Sequence, residues 1–136
     1  VRSRRQRQMC IRDRCMTKGN GIFKMGIAVA PVTNWRFYDS MYSERYLGIP
    51  QENAKGYDEN SPVHFADKLQ GNYLLIHGTG DDNVHYQHAI TMPNSLIKAN
   101  KKFDMFSFPD RNHGIYGGNT RYYLYQLMTN YIFQKL

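Results

Sequence analysis

Thirteen residues near the middle of the chain, Tyr73 to His85 (Y-L-L-I-H-G-T-G-D-D-N-V-H), constrain the fold more than any other stretch. An apolar run of four, Tyr73 to Ile76, meets glycines at 78 and 80, and two carboxylates, an amide and a histidine follow within five residues. Such a run, bounded by turn residues and followed by helical spacing, predicts a buried strand of a parallel sheet covered by helices on both faces. In sheets of this kind the chemistry gathers at the carboxyl ends of the strands. A second polar tip stands 32 positions after Asp81, where Phe103 to Phe108 runs into Pro109-Asp110-Arg111-Asn112-His113-Gly114. An acid after one strand and a histidine after the next is the order of the second half of a hydrolase triad.

The remaining chain fits this α/β reading. Ile27 to Ala30, ending at Pro31, predicts another buried parallel strand. Thr33 to Tyr46 concentrates Trp35, Phe37, Tyr38, Tyr42 and Tyr46, and on a helix the three tyrosines at 38, 42 and 46 would share one face. They suit either a core stripe or the aromatic wall of a pocket at the mouth of the preceding strand. Pro50 to Pro62 reads as a polar loop, with Ser61 capping a short helix that has Pro62 at its first position. Tyr86 to Asn100 has helical spacing, with a kink or break expected at Pro93. Asn119 or Thr120 caps a last helix with an apolar stripe of Leu124, Leu127, Met128, Tyr131 and Ile132.

The formal charge of +7 would suggest nucleic acid or an anionic membrane, but its distribution argues against both. Residues 1–14 hold six of the 18 basic residues and one of the 11 acidic ones, leaving the other 122 residues at +2. That opening stretch lacks an apolar run, a cleavage site and an amphipathic period, and resembles a translated sequencing adapter. It is read as a non-native basic segment. No aromatics or helical pattern make it a nucleic-acid arm. Two cysteines, Cys10 and Cys15, make neither a disulfide framework nor a zinc site. No stretch has the ~20 apolar residues of a membrane helix.

A serine hydrolase needs an acid to hold a histidine in one tautomer and a histidine to take the nucleophile's proton. Asp81 and His113 suit these roles by position, with Asp82 the rival acid. The six serines, Ser3, Ser40, Ser43, Ser61, Ser95 and Ser107, include none in a Gly-x-Ser-x-Gly elbow, so the nucleophile is expected to lie outside this chain. A metal reading through His77, His85, His88 and Asp81 has suitable donors, but their spacing matches no zinc motif, and no cofactor is called for.

Three segments, H-G-T-G-D-D-N-V-H-Y-Q, A-V-A-P-V-T-N-W-R-F-Y-D-S-M-Y-S-E-R-Y and N-H-G-I-Y-G-G-N-T-R, together resemble the catalytic domain of the dipeptidyl peptidase IV family, within the prolyl oligopeptidase clan of serine peptidases (S9). The resemblance covers about Cys15 to Leu136 and implies the C-terminal portion of an α/β-hydrolase fold. It matches Asp81 to the triad acid, preferring it over Asp82, and His113 to the triad histidine. It matches Asn83 to the amide that holds the substrate backbone near its amino end. Val32, Trp35, Tyr38, Tyr42 and Val84 match the wall of the proline slot, an apolar aromatic surface suited to a ring without an amide hydrogen.

The resemblance further implies a peptide substrate with proline or alanine second, a homodimeric full-length parent, and export to the periplasm or cell surface. Residues 15–136 are expected to be inactive alone, because the family's serine elbow stands just before the position of Cys15. Another peptidase or esterase of the clan, and a non-catalytic remnant, are the alternative readings.

Overall fold

A computed structural model describes residues 13–136. Cys10 and all but the last two residues of the basic opening segment lie outside the described residues. Those two, Asp13 and Arg14, begin a short helix over 13–18 and touch the domain. Asp13 is buried and accepts the Tyr73 hydroxyl at 2.7 Å, while Arg14 donates to Asn60 Oδ1 at 2.7 Å.

Three strands form one parallel sheet: β1 (Met25–Val29), β2 (Asn72–Gly78) and β3 (Asp104–Phe108), with β2 in the centre. Val29 lies opposite Ile76, and Gly78 opposite Phe108, so all three carboxyl ends open on one edge. The central strand is buried along its length after Asn72, which is why its sequence is continuously apolar rather than alternating.

Four further helices follow along the chain: α1 (Ser40–Leu47), α2 (Ala54–Asn60), α3 (Gln87–Lys98) and α4 (Thr120–Lys135). On one face of the sheet Ala28, Tyr73 and Leu75 pack against Ala89, Met92 and Leu96 of α3 and against Val63 and Ala66 of a 3-10 segment, Pro62–Lys68. On the other, Leu74, Ile76 and Phe108 pack against Ile115 and against Leu124 and Tyr131 of α4. Burying side chains this size stabilises by about 1.5–3 kcal/mol each, so the central strand anchors both layers.

Several local expectations are corrected. α3 continues through Pro93, which is buried; the burial of its neighbours Ala89, Met92 and Leu96 against the sheet holds the helix together despite the lost backbone bond. The loop expected over 50–62 contains α2, which starts where Asn53 Oδ1 accepts the Gly56 amide and is pinned by the buried Tyr57. Tyr38 stands before α1 rather than on it, because Asp39 caps that helix through the Tyr42 amide at 2.8 Å. Ser61 makes no cap bond; its hydroxyl donates to the Tyr57 carbonyl and accepts the Trp35 amide at 2.9 Å. Ile132 is not part of the buried stripe of α4, being 39% exposed.

Candidate active site

The polar tips of β2 and β3 meet because the chain ties them together at the backbone. The Thr79 amide donates to the Phe108 carbonyl at 2.9 Å, and the Gly80 amide to the Arg111 carbonyl at 3.1 Å. Thr79 Oγ1 in turn accepts the Asp110 amide at 2.9 Å. Between them lies Gly78, where a β-carbon would collide with the Arg111 carbonyl; only glycine lets the two loops come this close.

These contacts bring Asp81 and His113 together, with Asp81 Oδ2 at 2.8 Å from His113 Nδ1. The other carboxylate oxygen, Oδ1, accepts the backbone amides of Asn83 (3.0 Å) and Val84 (2.8 Å). Asp82, the rival acid, points outward and is exposed. A further donor reaches Asp81 from inside the sheet: His77 Nε2 lies 3.2 Å from Oδ2 and 2.7 Å from the Val84 carbonyl. Since a carbonyl only accepts, that nitrogen carries the proton. Burial disfavours the Asp81 charge, but the bonds from His113 and His77, the attraction of His113 and the Asn83 amide outweigh it. They hold the carboxyl well below the ordinary carboxylate range. An ionised Asp81 requires His113 to carry its proton on Nδ1, leaving Nε2 as the ring's acceptor.

The wall beside this pair comes from the chain leaving β1. Ala30 takes a left-handed φ of 47° while its amide still bonds the Ile76 carbonyl, and this turn sends Pro31 to Tyr38 across the strand tips. Val32 packs against Val84, with Trp35 and Tyr38 half-buried around them. Tyr38 donates its hydroxyl to Asn83 Oδ1 at 3.1 Å, which leaves the amide nitrogen of the exposed Asn83 turned outward as a donor. Tyr42 stacks on Trp35 at 6.0 Å and 12°, and meets Tyr38 edge-on at 5.6 Å. The aromatic stretch is therefore not a stripe of the sheet core. It forms a separate cluster that joins Asn83 and Val84, two and three residues beyond Asp81.

Comparison with known proteins shows the family to which the chain belongs. Residues 13–136 match the family model of the prolyl oligopeptidase family. The chain belongs to that family. It is 51% identical to Porphyromonas gingivalis dipeptidyl peptidase 4, whose structure superimposes with a TM-score of 0.87 over 89% of this chain and 17% of that one. It is 43% identical to the dipeptidyl peptidase 4 of Felis catus over 119 residues, 85% of this chain. It is 41% identical to the prolyl endopeptidase FAP of Mus musculus over 122 residues, 88% of this chain. The chain spans 16% of the length of each of these two relatives. The fold is that of the family's α/β-hydrolase domain.

Of the residues singled out in the sequence, the structure brings together Asp81, His113, Asn83, Val84, Val32, Trp35, Tyr38 and Tyr42. His77 and His88 were weighed there only as metal donors. Among the described residues no group of three or more His, Cys, Asp or Glu side chains forms that could hold a metal. His77 instead bonds the acid, a role with a faint signal: a polar residue in an otherwise apolar strand, four before a loop carboxylate. His85 is exposed.

Proposed function

We propose that residues 15–136 are the C-terminal part of a serine exopeptidase catalytic domain that releases X-Pro or X-Ala dipeptides from the amino end of peptides. The observation that carries this reading is the bond between Asp81 and His113 beside an aromatic wall joined to Asn83. The sequence has no serine elbow, so the nucleophile comes from elsewhere in the complete enzyme. That serine attacks the carbonyl after the second residue, and His113 Nε2 takes its proton. The same proton then passes to the departing amine as the carbon–nitrogen bond breaks, and water repeats the cycle on the acyl-enzyme. Asp81 keeps the Nδ1 proton in place and stabilises the imidazolium.

Trp35, Tyr38 and Tyr42, with Val32 and Val84, form the slot for the proline ring. Asn83, oriented by Tyr38, donates to the substrate backbone. Self-association of the parent is supported by the exposed Tyr122, Tyr125 and Phe133 of α4 and Leu136 just after it.

The similarity to a prolyl endopeptidase supports one alternative, cleavage after an internal proline. A hybrid separates the two: residues 15–136 replace the matching segment of the Porphyromonas peptidase. Release of Gly-Pro from a free Gly-Pro amide, with none from its amino-blocked form, is the expected result; cleavage of both favours the endopeptidase. A hybrid equally active after His113→Ala would overturn the whole reading.

A further inference from the structure

His88, in the first turn of α3, is fully buried and takes no part in the chemistry above. Its ring faces the backbone that carries the aromatic wall. Nδ1 lies 3.2 Å from the Thr33 amide and 3.4 Å from the Asn34 amide, and the Thr33 hydroxyl donates to the His88 carbonyl at 2.8 Å. Phe37 meets the ring edge-on at 5.9 Å. We propose that His88 is a positioning residue for the aromatic wall, its Nδ1 holding the Thr33–Asn34 backbone to α3 and so fixing where Trp35 and Tyr38 stand.

Two amide donors converging on one ring nitrogen require that nitrogen to be unprotonated, which puts the proton on Nε2. Nε2 is buried, and the Phe37 backbone acts on the ring in the sense that favours a bound proton there. Two amides of one loop converge on Nδ1 while the Thr33 hydroxyl bonds the His88 carbonyl, so the ring is placed to accept from that loop rather than merely to fill the core. Its position also matters. His88 follows Val84 by four residues, so it links the Val32–Trp35–Tyr38 side of the slot to the Asn83–Val84 side. Beyond it the loop is also held by the Val63 amide on the Thr33 carbonyl at 3.1 Å, by Ser61 on the Trp35 amide, by Arg36 on Asp58 at 2.8 Å and by the Tyr38–Asn83 bond.

A proton on Nδ1 would face both amides and break the clamp. Burial, then the nearness of His77, pull the His88 pKa down to about 4; His85 acts in the same sense, the Phe37 backbone and Asp81 against it. The clamp is therefore closed at neutral pH and opens as pH falls through about 4.

This proposal rests on the slot reading only for its consequence to substrate, and the test separates them. Trp35 is the only tryptophan of the chain, so its emission reports on the wall. His88→Leu keeps apolar volume without an acceptor, and His88→Asn places an oxygen near the Nδ1 position that does not titrate. In the 136-residue chain, hydrogen exchange at the Thr33 and Asn34 amides should be about tenfold faster in His88→Leu, while β2 stays protected. His88→Asn should restore protection. Trp35 emission of the unaltered chain should show an acid transition near pH 4 that His88→Asn lacks.

Unchanged protection in His88→Leu, no rescue by His88→Asn, or the same acid transition in His88→Asn would each overturn the proposal. If His88→Leu loses β2 protection as well, the comparison with His88→Asn decides alone. In the hybrid peptidase His88→Leu should raise KM for a prolyl amide with kcat little changed. A clamp seen by exchange without that rise would mean that the slot reading, not the clamp, is wrong.

Discussion

Replacing Asp81 with asparagine tests the site most sharply, because the carboxylate accepts from four donors and offers none. Oδ1 takes the Asn83 and Val84 amides, and Oδ2 takes His113 at 2.8 Å and His77 at 3.2 Å. Asparagine has one accepting oxygen, which the two backbone amides claim, so its NH2 group confronts the two rings. His77 keeps the Val84 carbonyl, and His113 moves its proton to Nε2 so that Nδ1 accepts from the new amide. The fold then loses only about 1–3 kcal/mol, the scale of one poorly satisfied buried group. Chemistry suffers far more, since a ring protonated on Nε2 takes no proton from a serine. A wrong tautomer of this kind costs about 10⁴-fold in kcat, or about 5.5 kcal/mol.

The assay is hydrolysis of a Gly-Pro amide by the hybrid peptidase, with thermal melting alongside and Asp82→Asn as the control. A loss of less than tenfold, or an equal loss in Asp82→Asn, would refute the assignment of the acid. The sign with pH also follows. Because folding depresses the Asp81 pKa, its stabilisation is present above the ordinary carboxylate range of about 4 and declines as pH falls below it. The stability gap between the two proteins should therefore narrow in acid.

Three other outcomes are expected. Tyr38→Phe removes the bond that orients Asn83, and should raise KM for dipeptide amides about three- to tenfold with melting nearly unchanged, one neutral hydrogen bond being worth about 0.5–1.5 kcal/mol. Gly78→Ala forces the Arg111 carbonyl away and with it the loop to His113; melting should fall by the equivalent of about 1–3 kcal/mol, and kcat should fall even where the protein remains folded. Neutral burial of His88, whose pKa drops to about 4 from 6.5, stabilises fully above pH 6.5. Denaturant titrations should show about 3 kcal/mol of stability lost as pH falls from 6.5 to about 4, a slope that His88→Asn removes.

The sheet was legible because its central strand is buried on both faces and its outer strands are largely apolar. Residues 73–76 and 27–30 declare themselves as unbroken apolar runs and 103–108 as one interrupted by Asp104 and Ser107, and the strands found at Asn72–Gly78, Met25–Val29 and Asp104–Phe108 differ from them only at the ends. Helices whose stability comes from distant contacts were harder. α2 has the weak former sequence A-K-G-Y-D-E-N and exists because Tyr57 is buried, its hydroxyl bonding the Gly48 carbonyl at 2.8 Å. Pro93 announces a break by its local chemistry, yet nothing nearby in sequence tells that its ring lies among buried Met92 and Leu96.

In the site, the legible residues were those whose chemistry requires a loop. Asp81 and His113 stand beside glycines at the ends of apolar runs, where a titratable side chain has few structural uses, and the tyrosines are too dense for chance. His77 and His88 were obscured for the opposite reason: each lies inside an element, where a histidine reads as one more core residue. What distinguishes them is the partner of a single ring nitrogen. For His77 that partner is a carboxylate four residues on, within reach because β2 ends at Gly78 and the loop folds back through Val84. For His88 it is the backbone of residues 55 and 54 positions earlier, and a backbone amide leaves no trace in the sequence of either partner. The side chains proposed to act on substrate can thus be read from residue type and order. Those that hold the loops in place emerge only when the donors and acceptors of the folded chain are matched one by one.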